Sequence, residues 1–431
     1  MKVIQWLATN FFGTPAILLG LIVLIGLLVQ KKTASQVISG TFKAIIGFLI
    51  ISAGSGVIVD SLTVFEPMWK EVFNLKDTSL GEFMGQDRFI GKFGSAVTLA
   101  MTIGFLINVL LARFTRLKYI YLTGHMMFWT TTIFAGIVVQ SSGNVPFGKL
   151  VLFLSIIMGL YWTIQPALTQ PFMRKITGND SIALGHTSAS VALLGALAGR
   201  VFGNKENDSE KIQLPKGLEF LRDSNVITAL TMGVLFFIGA MVIAFKNTPG
   251  ANELIQKAGD QDFVVYSIVQ SFQFAGGIAI VLMGVRMFIG EIVPAFKGIA
   301  TKIVPGAKPA LDCPVVFPFA PNAVILGFLG AFVGAMLWLV IIGNTVGYIF
   351  VPTMIVLFFH SATAGVFGNA TGGVRGALIG GFITSTVVAW GQFLMVRFLI
   401  GGTIPDTAMW AADSDMFILG PVIHFLAKLF F

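Results

Sequence analysis

Apolar runs alternate with short polar breaks along the whole chain. The runs fall near 14–30, 44–60, 94–112, 126–140, 150–167, 225–245, 265–285, 323–342, 347–368, 376–398 and 416–430. Each approaches the ~20 apolar residues that a helix needs to cross ~30 Å of hydrocarbon. The pattern predicts an all-α polytopic membrane protein with about 11 transmembrane helices. Met1–Phe12 reads as a short amphipathic lead.

Some segments break the pattern. Thr63–Leu75 (TVFEPMWKEVFNL) and Glu291–Val304 (EIVPAFKGIATKIV) are too polar to span and read as interfacial amphipathic helices. Phe48–Val59 and Ile278–Ile289 precede them with similar glycine placement, so the two halves read as inverted repeats. Ser181–Arg200 (SIALGHTSASVALLGALAGR) is apolar but rich in small residues, and reads as a re-entrant hairpin. Pro405–Pro421 is its expected counterpart. Pro305–Val324 holds five prolines and one acid, Asp312, between two apolar regions. Proline breaks helices and removes a donor. Bare backbone at membrane depth survives only where protein or a watery cavity satisfies it. This stretch therefore reads as the floor of a solute site.

Composition agrees. Charged residues make up 11% of the 431, far below the roughly 25% of soluble domains. The net charge of +8 is spread between spans, which suggests no nucleic-acid partner. Lys31 and Lys32, Arg113 to Lys118, and Arg174 and Lys175 follow odd-numbered spans, while Ser141–Gly148 and Gly343–Gly347 carry no charge. The positive-inside rule then puts the N-terminus outside and the C-terminus in the cytoplasm. Cys313 is the one cysteine, which excludes an internal disulfide or a multi-cysteine metal site. No GxxxxGK[ST] or HExxH occurs, so neither ATP hydrolysis nor zinc-protease chemistry is expected, and no cofactor or metal is implied.

A few residues stand out. Asp312 at a broken helix suits solute hydroxyls, a coupling cation or a proton; capping of local backbone is the bland alternative. His125 (LTGHMMF) and His186 (LGHTS) each offer one donor and one acceptor, or simply pack. Gly54 in Ala53–Gly56 (AGSG) either exposes backbone to solute or packs helices closely. His360 and His424 read as packing residues. Asn322, Asn369 and Thr371 are lesser lining candidates. Glu291 reads as the one other acid near a span in the second half, paired with Arg286 or Lys297.

FLIISAGSG, YLTGHMMF, Gly185–His186, GVRMF and above all ALDCPVVFPFAPNAV resemble the ascorbate-type enzyme IIC of the bacterial phosphotransferase system. The resemblance covers nearly the whole chain. It implies a V-shaped dimerising scaffold (1–92 and 225–305) and a transport core (93–224 and 306–431) that moves as an elevator. It also implies a homodimer in the bacterial inner membrane. A separate cytoplasmic IIB protein, supplied through IIA and HPr, would phosphorylate the substrate. The family's substrate contacts map onto Gly54, His125, His186 and Asp312. Ser52, Trp129 and Thr187 stand where glutamines are expected in ascorbate members, so Trp129 and Thr187 join the candidate site. The cargo is then L-ascorbate or another small sugar, polyol or sugar acid. The alternative is an ion-coupled secondary transporter with Asp312 as its coupling site. A lipid-acting enzyme would need an acid–base pair or metal cluster that the sequence does not offer.

Overall fold

The computed structural model describes residues 15–74, 83–143, 145–212, 220, 223–346, 348, 354–404 and 413–431. The lead at Met1–Phe12 lies outside them, as do residues 405–412 of the second hairpin segment. In chain order the helices are α1 Pro15–Val29, α2 Ala34–Val72, α3 Gln86–Phe114, α4 Gly124–Ser142, α5 Phe147–Thr177 and α6 Ala189–Phe202. There follow α7 Ser224–Ala244, α8 Pro249–Gln256, α9 Phe263–Lys302, α10 Pro321–Val346, α11 Met354–Leu394 and α12 Ser414–Phe430. Three short strands lie among them: β1 Tyr119–Tyr121, β2 Ala183–Leu184 and β3 Lys308–Leu311. Six of the described helices are long and apolar enough to cross a membrane.

The helices pack in two groups. α1, α2, α7, α8 and α9 form one; α3 to α6 and α10 to α12, with the strands, form the other. The first is organised by α2 and α9. Thr33 caps α2 through a reciprocal bond with Gln36, and Asp262 caps α9 by accepting from Val264 and Val265. At 39 and 40 residues these helices are about 58 and 60 Å long, twice the hydrocarbon thickness of ~30 Å. Here the structure departs from expectation. Thr63–Leu75 and Glu291–Val304 do not form separate interfacial helices. Residues 63–72 continue α2 and residues 291–302 continue α9, because nothing at either junction stops the helix. Glu291 faces Lys43 of α2 at 3.9 Å rather than Arg286 or Lys297.

The α2–α9 contact is reciprocal. Gly47 lies against Phe288 and Gly284, while Gly284 lies against Ile51 and Gly47. Gly54 lies against Val281 and Gly277, while Gly277 lies against Ile58 and Gly54. A Cβ at any of these positions would meet backbone at 2.7–2.9 Å, so the two backbones touch through bare glycines. Gly47 and Gly277 are 230 residues apart, as are Gly54 and Gly284. Rising numbers on one helix meet falling numbers on the other, the signature of antiparallel elements related by a two-fold.

In the second group, α11 is two arms, not one rod. Gly373 has φ 60° and ψ −151°, a conformation that glycine adopts without strain. Gly368 lies against Gly376 and Gly380 against Ala364, so the arms run antiparallel. This matches the two spans that the apolar pattern places at 347–368 and 376–398. Asn322, Asn369 and Thr371 serve this end of the molecule: Asn369 and Asn322 bond Ser209, and Thr371 donates to Ala196. They hold the loop after α6 and are not brought to the site described below.

α6 and α12 are short helices of 14 and 17 residues, about 21 and 26 Å, and they meet tip to tip. Asp415 donates its N–H to the carbonyl of Thr187 (3.0 Å), and Ser190 donates its N–H to the Asp415 carboxylate (2.7 Å). The far end of α12 stacks Phe430 on Phe153 at 5.4 Å, and His424 Nδ1 lies 2.7 Å from Ser141 Oγ. The charge pattern places residues 141–148 outside and the C-terminus inside; these contacts put both on one face. α12 starts beside His360 and runs alongside α4 to its end.

Candidate functional site

The sequence reading contains no sheet, yet a small one builds the site. β1, β3 and β2 lie side by side in that order, all parallel, with Tyr121 opposite Ala310 and Leu184 opposite Leu311. Strand edges at membrane depth need internal partners. Amide side chains supply them. Asn108 of α3 donates to the carbonyl of Tyr119 and accepts the N–H of Tyr121, both at 3.0 Å. On the other edge, Gln170 and Gln165 of α5 donate to the carbonyls of Ile182 and His186, also at 3.0 Å. At the start of β3, Lys308 Nζ sits 2.5 Å from Asp180, which Arg174 also meets at 3.2 Å. Burial pushes the Asp180 carboxyl up, but hydrogen bonds from Lys308 and Gln170 outweigh it and hold the group below the usual carboxylate range.

Parallel strands end together. His125 follows β1, His186 follows β2 and Asp312 follows β3, so three residues far apart in sequence converge where the strands stop. Asp312 Oδ2 lies 3.5 Å from His125 Nε2, and Oδ1 lies 3.6 Å from His186 Nε2. Both separations exceed a good hydrogen bond. The carboxylate is poised between two donors without being saturated by them. Oδ1 also accepts the Cys313 N–H at 2.7 Å, capping the 3₁₀ turn Cys313–Phe319. Capping and site placement are therefore both true of Asp312.

His186 has a defined tautomer. Its Nδ1 accepts the Ser188 N–H at 3.1 Å, so the proton sits on Nε2 and points at Asp312. His186, Asp312 and Cys313 present ligand-type atoms within 4.8 Å of one another. An Nε2 that carries a proton is a donor and does not bind a metal, so the set suits hydroxyl recognition better than an ion.

Behind this centre lies a second layer that the sequence reading overlooks. His360, on the first arm of α11, has its ring 5.0 Å from that of His186. Its Nε2 is 3.3 Å from Asp413 Oδ1 and its Nδ1 is 2.7 Å from Ser414 Oγ. Thr187 donates to Asp413 Oδ2 at 2.6 Å, and Tyr161 of α5 donates to Asp415 Oδ2 at 2.7 Å. Asp413 and Asp415 are buried, at 5% and 3% exposure. Glu291 is thus not the one other acid near a span in the second half. The available signal was Asp-Ser-Asp directly before an apolar run, which reads as a capped helix start with an acidic first turn.

The remaining candidates divide. Thr187 is fully buried and serves Asp413. Trp129 is one turn beyond His125 on α4 and stacks edge-on with Phe128 at 5.3 Å. Gly54 is taken up by the α2–α9 contact, and Ser52 donates to the carbonyl of Phe48. The structure brings together His125, His186 and Asp312, and leaves Gly54 across the boundary between the helix groups.

A crevice of about 20 Å³ adjoins the carboxylate. Leu19, Phe48, Ile51 and Phe288 line it from one helix group; Thr123, His125, Asp312 and Pro314 line it from the other. It holds about one water.

Comparison with known proteins identifies the family. The family of PTS system sugar-specific permease components (EIIC-GAT) matches residues 10–415. The chain is 29% identical over 419 residues to the ascorbate-specific PTS system EIIC component of Mycoplasma pneumoniae, an alignment covering 86% of this chain. It spans 63% of the length of that relative. With its family matched along nearly the whole chain and its long apolar helices, the protein belongs to the PTS sugar-specific permease components and is a multi-pass membrane protein.

Proposed function

We propose that this permease carries L-ascorbate or a closely related sugar acid, sugar or polyol, and that a separate IIB protein phosphorylates the cargo at the cytoplasmic face. One observation carries the reading: an under-satisfied carboxylate between two imidazoles, facing the seam between two helix groups. Asp312 accepts from cargo hydroxyls, and His186 donates through Nε2. His125 completes the cradle, with Trp129 one turn away as a stacking face. The similarity to an ascorbate-specific component supports the cargo. The glutamines absent at Ser52, Trp129 and Thr187 leave related polyols and sugar acids within the class.

The group of α1, α2, α7, α8 and α9 is the scaffold, and the glycine contact keeps it rigid. The group that carries the strands, α6 and α12 is the transport core, which slides along the scaffold as an elevator. A crevice of about 20 Å³ is too small for such a cargo, since ligand pockets run to ~300 Å³ and more. Cargo therefore enters only when the seam opens. The scaffold dimerises with a second copy. The chain contributes orientation and no phosphoacceptor. By the positive-inside rule residues 141–148 lie outside, and the α12 contacts put the end of α12 on that same face.

The test is uptake of labelled ascorbate into vesicles holding the full chain, with and without phosphorylated IIB. Accumulation of a phosphorylated product that needs IIB is expected. Accumulation of unmodified ascorbate without IIB would favour the ion-coupled alternative instead.

A further inference from the structure

The proposed cargo poses a charge problem that the site must solve. Ascorbate is a monoanion near neutral pH, as are sugar acids. Asp312 already brings one negative charge, and the described crevice lining contains no Lys or Arg. Two like charges in a poorly hydrated site repel strongly. Among the described lining residues, only an imidazole can supply the missing positive charge.

The two imidazoles are not equivalent. His186 is 4% exposed, and its Nδ1 is committed to the Ser188 N–H. A second proton on that ring would set N–H against N–H. His125 has 41% of its side chain exposed, and among the described residues no hydrogen bond commits its ring nitrogens. Its Nε2 already faces Asp312 Oδ2 at 3.5 Å. The titratable groups around it are Asp312 from the end of β3, His186 from the end of β2 and, next to Asp312, Cys313. Deeper lie Asp413 at the start of α12 with His360 of α11, and Asp415 with Tyr161 of α5. Two of these deeper groups are acids, both buried.

We infer that an anionic cargo binds together with one proton, taken up from solvent by His125, whose imidazolium then lies between the Asp312 carboxylate and the bound anion. This rests on the cargo reading given above. It also separates substrate classes. A neutral polyol needs no proton, so its affinity does not follow pH, whereas that of a sugar acid does. The proton neutralises the site; it does not power transport.

The experiment is isothermal titration of the full-length purified protein with L-ascorbate in phosphate and in Tris buffer. Net uptake of about one proton per ascorbate is expected. Where binding takes up a full proton, affinity should weaken by about tenfold per pH unit as pH rises. Equal heats in both buffers and a flat affinity from about pH 6.5 to about pH 8.5 overturn the inference. His125→Gln keeps a donor and an acceptor but takes no charge. It should bind ascorbate more weakly and without a pH slope; a slope retained in that variant also overturns the inference. If the variant fails to fold, the two-buffer comparison on the unaltered protein still decides. Absence of ascorbate binding at every pH overturns the cargo reading and this inference with it, whereas pH-independent binding overturns this inference alone.

Discussion

Two pairs of helices that meet behave in opposite ways. α2 and α9 are near copies in role. Each offers two glycines seven residues apart, and each glycine fills the gap left by its partner. α6 and α12, expected from sequence to be counterparts, also meet, but their tips carry different chemistry: His186, Thr187 and Ser188 on one, Asp413, Ser414 and Asp415 on the other. Symmetry is kept where the task is close packing, because bare backbone against bare backbone has one solution. It is absent at the α6–α12 tips, where donors and acceptors face each other across the contact.

Substitutions can break this contrast. The largest effect is expected at the centre of the asymmetric pair. Asp312→Asn places an amide N–H₂ or a weaker acceptor against the His186 Nε2–H. Loss of charge-assisted bonds worth about 3 kcal/mol or more should lower ascorbate affinity by over about 100-fold, with folding intact. Titration on monodisperse protein checks this, and undiminished binding removes Asp312 from the site. Next comes the symmetric pair. Gly54→Leu forces a side chain into the backbone of Gly277 and Val281, and overpacking of this kind costs roughly 3 kcal/mol. The thermal midpoint should fall sharply, while the folded fraction binds cargo normally. If Gly54→Leu instead lost affinity with an unchanged midpoint, Gly54 would belong to the site. The smallest effect is expected behind the centre. Asp413→Asn keeps a partner for Thr187 but weakens the tie to His360, lowering affinity by about 10-fold. An unchanged affinity would make the second layer purely structural.

Much of the architecture was legible in the apolar runs. The two arms of α11 appear as separate spans because Gly372–Gly373 interrupts an otherwise continuous run. The 230-residue offset was visible in glycine placement, which backbone contact constrains tightly. Helix ends were less legible. Residues 63–72 look too polar for a span, yet polarity does not stop a helix, and α2 runs on to Val72. The position of α12 was also hidden, because Asp413 at its start is anchored by His360 and Thr187, which are distant in sequence.

The site was half legible. Asp312, His125 and His186 each stood out as a polar group beside glycine or proline in an apolar setting. What placed them together was hidden, since strands of two to four residues leave no periodicity to read. Asp413 and Asp415 were missed because two acids beside a polar loop resemble an ordinary surface turn.

The most direct test of the account is a cryo-electron microscopy map of the full chain with L-ascorbate. Ligand density between the His125 and His186 Nε2 atoms and against Asp312, with the seam beside Phe48 and Phe288 opened to admit it, is the predicted result. Density elsewhere, with the two imidazoles still closed on the carboxylate, would contradict it.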